Sequence, residues 1–329
     1  MAITKEELRN AMAESGIVFD GMQEIITDSA ITKPNVGVPT VLTTYVDPTI
    51  VKILTAPRNA RKIFTERKKG DWTTSSAMFR AIEGVGETTP YADYSNAGTS
   101  DINVVYPERD NYIYQTTIRY GEREMALLGK ASIELASEKQ IQCAEILDID
   151  ANKFYLKGVA GKRIYGLLND PNLPADISPA TVRTSVVLWS AKTTVEIYND
   201  IISIFSELAT NSAGRISVDS DLVLACPPAI MVLLGKTTDY GKSVIDMLKN
   251  YFTNLEFVTL PELTANSTNS VLMCAKTVDG FPVCELAFSE KMRSHQLIPE
   301  LSSYRQKFSA GTYGAVVLRP FAIQIMSGV

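Results

Sequence analysis

Hydrophobic positions change their spacing several times along this chain, and each change predicts a different kind of element. From Met125 the pattern returns at steps near 3.6 residues: Met125, Leu128, Ser132, Leu135, Cys143, Leu147, Ala151 and Phe154, with charged residues between them. No proline interrupts 121–158, and Gly158 and Gly161 close the run. The pattern therefore predicts one amphipathic helix, about 50 Å long at a rise of 1.5 Å per residue. Just before it the period is two: Tyr112, Tyr114, Thr116, Ile118 and Tyr120 alternate with Ile113, Gln115, Thr117 and Arg119. Residues 72–82 and 102–120 are rich in β-branched and aromatic side chains, and the Gly, Ser and Thr between them supply turn chemistry. The span 58–120 thus reads as an exposed two-stranded ribbon. Such a ribbon is marginal alone in water, so it must lie on another surface.

The remaining pattern is more conventional. Thr4 and Glu7 make a capping box for a short helix over 4–14, which Gly16 stops. Residues 17–40 lack a helical period and read as an arm. Asp47-Pro48 opens a second short helix that Pro57 ends. After the long helix, 162–189 read as strands broken by turns. A compact α/β region follows, with a helix over 193–209 that carries Ile197, Ile201, Ile204, Phe205 and Leu208 on one face. Next come a strand over 222–225, a helix opened by Pro227-Pro228, a helix over 243–252, and strands over 255–259 and 270–276. Residues 281–289, 295–308 and 312–326 read as strands.

At 329 residues the chain suits two compact lobes with appendages, and 45% hydrophobic against 21% charged residues is the balance of a core-forming protein. A formal net charge of −5 argues against a dedicated nucleic-acid binder, without excluding a container that encloses nucleic acid. The longest apolar run, 229–234, is far too short to span a bilayer. The charged N-terminus has no secretory core, which predicts a cytosolic product. The four cysteines form no CxxC pair and read as buried reduced thiols.

Candidate chemistry is thin. Gly235 to Ser243 resembles a phosphate-binding loop but has five residues between its glycines where four are needed, and it follows a helix, so it reads as a surface loop. His295 is the only histidine, which excludes multi-histidine zinc sites, and no GxSxG elbow accompanies it. Asp148/Asp150 and Asp219/Asp221 are i,i+2 pairs that diverge on helix or strand. Gly84 and Gly86 precede no helix and make no dinucleotide fingerprint. No catalytic residue, cofactor or metal is predicted; were the chain an enzyme, its site would lie around 222–245.

Charge placement says more. Residues 58–80 carry Arg58, Arg61, Lys62, Arg67, Lys68, Lys69 and Arg80 against Glu66 and Asp71. Residues 81–111 carry Glu83, Glu87, Asp93, Asp101, Glu108 and Asp110 against Arg109 alone. The base of the ribbon is basic and its distal half acidic. The expectation is that the acidic tip docks on basic patches of a neighbouring copy, with Arg61, Lys62, Arg67, Lys68, Lys69, Glu83, Glu87 and Asp93 as contact candidates.

The order of parts is arm, ribbon, long helix, α/β lobe and returning strand. It is joined by GVPTVLTTYVDP (37–48), GEREMALLGKASIELASEKQIQCAEILDIDANKFYLKG (121–158), YGLLNDPNLP (165–174) and GAVVLRPFAIQI (314–325). Together these resemble the major capsid proteins of tailed double-stranded DNA phages, whose fold is shared with encapsulin shells. The resemblance implies an α+β capsid fold: an N-terminal arm (1–38), the start of a peripheral lobe (39–57) and an extended loop (58–120). The peripheral lobe with its spine helix (121–190), an axial lobe (191–294) and C-terminal strands returning to the peripheral lobe (295–329) complete it. It implies pentamers and hexamers closing into an icosahedral shell around double-stranded DNA held non-specifically. Portal, separate scaffolding and decoration proteins are implied as partners, with no membrane, and the shell would assemble in the host bacterial cytoplasm. An encapsulin-type compartment is the alternative. Some relatives join subunits covalently through a loop lysine and a peripheral-lobe asparagine. Here no lysine lies between Gly70 and Gly129 and no asparagine follows Asn269, which predicts non-covalent cohesion.

Overall fold

The computed structural model describes residues 58–93, 98–130, 135–182, 186–238, 241–265 and 268–329. The expected arm, the helix over 4–14 and the helix at Asp47-Pro48 lie outside the described residues. In chain order the elements begin with α1 (Ala60–Ile63), β1 (Glu66–Lys68), β2 (Ser76–Met78), β3 (Ala81–Gly86), β4 (Ser100–Val105), β5 (Glu108–Asp110) and β6 (Tyr112–Gly121). Helices α2 (Glu122–Lys130), α3 (Leu135–Lys157) and α4 (Thr194–Asn211) follow, then β7 (Leu222–Cys226), α5 (Pro228–Leu233), α6 (Val244–Tyr251) and β8 (Leu255–Thr259). The chain ends with β9 (Thr264–Ala265), β10 (Thr268–Ala275), β11 (Thr277–Val278), β12 (Phe281–Pro282), β13 (Cys284–Ser294), β14 (Ile298–Pro299), β15 (Ser303–Val317) and β16 (Ile323–Ser327).

Two five-stranded sheets carry the core. In the first, β15 is central: it pairs antiparallel with β13, β14 and β6, and β1 adds to β13 in parallel. Helix α3 crosses this sheet and buries Cys143, Leu147, Ala151 and Tyr155, with Ile118, Tyr120, Phe308 and Ala310 among the sheet's contributions. In the second sheet the order is β16-β10-β7-β8, with β9 added to β10, and α4 buries Ile197, Ile201, Ile204 and Leu208. A capping box at Thr193, with Glu196 as its return partner, starts α4 where the sequence expects a helix.

Several expectations change. The ribbon is shorter than 58–120: only β2–β5 and β3–β4 pair as a ribbon, whereas β1 and β6 join the first sheet. The alternation of β6 is that of a sheet strand with one face turned to α3, where Ile118 and Tyr120 pack with Cys143 and Leu147. The span 121–158, expected as one helix, is described as two, α2 and α3. Lys139 Nζ donates to Glu124 Oε2 at 2.8 Å and to the Arg119 carbonyl at 2.9 Å. Fifteen residues of straight helix would hold Lys139 and Glu124 about 22 Å apart, so α2 and α3 are not collinear. Finally, β13 leaves the expected axial span to stand beside β15, and β16 pairs with β10 rather than returning to the first sheet. Between β15 and β16, Pro320 opens a 3-10 turn over Pro320–Ala322.

Candidate assembly interface

Among the described residues there is no group of three His, Cys, Asp or Glu side chains able to hold a metal ion. His295 Nε2 lies 2.8 Å from Ser309 Oγ, but Ser309 is fully buried and the ring packs edge-on against Trp72. Cys226, Cys274 and Cys284 are free and buried, and burial pushes each thiol far above its ordinary pKa, the wrong direction for a nucleophile. Between α5 and α6, the Thr238 N–H and hydroxyl donate to the Lys242 carbonyl, and the Lys242 N–H donates to the Thr238 hydroxyl. No described helix is long and apolar enough to cross a membrane.

The ribbon is the structural outlier. It exposes Met78, Val85, Tyr91, Ile102 and Tyr106, and Tyr91 is 90% exposed. Of the acidic candidates, Glu87 and Asp93 are exposed, and Glu83 lies on β3 opposite Asn103. The expected basic base is differently disposed. Arg61 bonds Glu66 at 2.7 Å and also Asp148 on α3. Those two carboxylates outweigh the desolvation of the guanidinium, and its pKa is raised. Arg67 and Lys69 both pair with Glu285 on β13, at 3.2 and 2.9 Å, and Glu285 is buried. Lys68 stands 3.9 Å from Asp71, and Lys62 is exposed and makes no ion pair among the described residues. Three of the five basic candidates thus bind β1 and its flanks to their own subunit. Sequence gives the charges but not their partners, which come from positions as remote as Glu285.

The acidic run is also partly spent. Glu108 and Asp110, on β5, take Arg163 between them at 2.6 and 2.9 Å, and the Arg163 backbone N–H donates to Asp110 at 3.1 Å. Between these two, Arg109 turns inward, bonds Asp170 at 2.7 Å and lays its guanidinium 4.5 Å from the centre of the Tyr165 ring. Both members of that pair are buried. The lone basic residue in the acidic run is therefore an anchor.

The same segment, 163–170, is held on its other side. Leu167 and Leu168 N–H groups donate to the Tyr155 and Leu156 carbonyls at 2.9 and 3.0 Å, and Ala315 N–H donates to the Tyr165 carbonyl at 3.0 Å. A Cβ on Gly166 would stand 2.4 Å from the Leu156 carbonyl oxygen, and one on Gly314 (φ +76°) 2.4 Å from that of Tyr165. Only glycine lets these backbones meet.

Comparison with known proteins bears on this geometry. The capsid of Myoviridae phage XM1 superposes with a TM-score of 0.71 at 12% identity, covering 94% of this chain and 100% of that one. The capsid of an empty GTA particle gives 0.59 at 9% identity, over 86% and 94%. The structure titled Mycobacterium phage Che8 gives 0.53 at 11% identity, over 89% and 97%. At these identities the likeness carries the fold. No curated protein matches the chain. A family model described as the Pa193 gp26 major capsid protein matches residues 29–328. The chain belongs to the Pa193 gp26 major capsid protein family, and is a structural subunit of a phage capsid.

Proposed function

We propose that copies of this chain close, as pentamers and hexamers, into an icosahedral shell that encloses double-stranded DNA non-specifically, with no chemistry of its own. The observation that carries this reading is the ribbon. Tyr91, Met78 and Tyr106 are large apolar side chains left in solvent along the ribbon, and a two-stranded form gains stability only against another surface. Glu87 and Asp93 give that element an acidic end. Its targets are the most exposed cations of a neighbouring copy: Lys62, which makes no ion pair among the described residues, and Lys68, held only by a long, exposed contact with Asp71, before Arg61, Arg67 and Lys69, which their own subunit engages. A portal protein, a separate scaffolding protein and a decoration protein are the partners this role calls for, and the host cytoplasm is where it would be exercised. Electron microscopy of the purified protein, with its mass in solution by light scattering, tests the reading. Closed shells or five- and six-membered rings are expected; a monodisperse monomer that never assembles, even with crowding, would overturn it.

A further inference from the structure

We propose that the loop 163–170 is a clasp that sets the direction of the ribbon, and that Arg163, Tyr165 and Asp170 are positioning residues for shell closure. The proposal rests on the assembly role above. All three residues of β5 are gripped by this loop: Glu108 and Asp110 by Arg163, Arg109 by Asp170 and Tyr165. Strand β5 pairs with β2 through Ser76↔Asp110, Ala77↔Arg109 and Met78↔Glu108, so the grip reaches both strands of the ribbon at its root. On its far side the loop is fixed to the end of α3 by the Leu167 and Leu168 N–H bonds, and to β15 at Gly314.

The two tiers differ in kind. Arg109 and Asp170 form a shielded pair, stacked on an aromatic ring, which resists water and salt. Arg163 is more than half exposed, and its two-carboxylate fork is open to screening and to exchange. The inner tier keeps the ribbon attached, and the outer tier fixes its angle. A ribbon held at the wrong angle keeps every contact surface yet cannot place them all on one neighbour, so closure fails while the subunit remains folded.

Arg163→Ala tests this, because it removes an exposed side chain and leaves the inner pair intact. The expected result has three parts: a melting temperature close to that of the parent, roughly tenfold faster hydrogen exchange across 108–111, and open sheets or irregular particles in place of closed shells. Closed shells at parental yield and diameter would overturn the proposal. Lost shells without faster exchange at β5 would also overturn it, since Arg163 would then be touching a neighbour rather than steering the ribbon. Asp170→Asn should act in the same direction through the inner pair; if that variant does not fold, Arg163→Ala decides alone. A parent protein that forms no shells would instead sink the assembly role, so the two failures are distinguishable.

Discussion

At the scale of single residues, buried charge is the most consequential feature. Asp200 on α4 accepts from Lys192 Nζ at 2.5 Å and Trp189 Nε1 at 2.8 Å, both buried with it, and from the Ala180 N–H at 3.1 Å nearer the surface. Removing one member of such a set leaves the others desolvated and unpaired. Asp200→Ala should therefore cost about 3–5 kcal/mol, read by chemical denaturation. Glu108 and Asp110 supply a pH prediction. The Ser76 hydroxyl and then Arg163 hold the Glu108 carboxyl below its ordinary 4.5, and Arg163 holds Asp110 below its ordinary 3.8. A depressed carboxyl stabilises the fold above its ordinary value and loses that contribution as pH falls through the lowered one. Protection of β5 amides against exchange should thus persist from neutral pH to those ordinary values and decline only below them. A decline that begins above them would contradict the assignment. Sequence displayed part of this: Arg109 stood out as the one cation in an acidic run. Its partner Asp170, 61 residues on, could not be read from spacing.

At the scale of elements, period carried most of the information and failed where tertiary contacts took over. Helices α4 and α6 and strand β8 fall where the apolar pattern put them, and both helices bury the apolar positions of one face. The long helix shows the opposite case. Cys143, Leu147 and Ala151 are buried as the stripe requires, but Met125 and Leu127 on α2 are exposed. Lys139, which breaks the stripe, is the visible sign that the pattern did not continue, and it bridges α2, β6 and α3. Strand β15 runs through Ser309-Ala310-Gly311, the gap between the expected strands 295–308 and 312–326, since β6 and β13 pair with it on both sides. Two substitutions test this layer by thermal melts of the subunit. Leu147→Ala, under α3, should cost about 2–5 kcal/mol. Gly314→Ala should also destabilise, by roughly 1–3 kcal/mol, because the left-handed backbone and the Tyr165 carbonyl leave no place for a methyl group.

At the scale of the whole molecule, the described residues form two five-stranded sheets and three two-stranded pairings, and the ribbon's Met78, Val85, Tyr91, Ile102 and Tyr106 stay outside the core. The order of parts was legible from residue 58 onward, because ribbon, helix and α/β region differ in period. Membership of the sheets was not, since β13 and β16 each pair with strands remote in sequence, and no local pattern encodes a remote partner. Charge reversal of the ribbon end, Glu87→Lys with Asp93→Lys, should abolish shells and leave folded capsomers, as particle counts in electron micrographs would show. In the proposed shell the ribbon's exposed apolar and acidic face is covered by a neighbouring copy, and a cryo-electron microscopy reconstruction of assembled particles would show it. Tyr91 is expected to be buried against an adjacent subunit, with Glu87 and Asp93 beside that subunit's cations. A closed shell in which Tyr91 and both carboxylates still face solvent would contradict it.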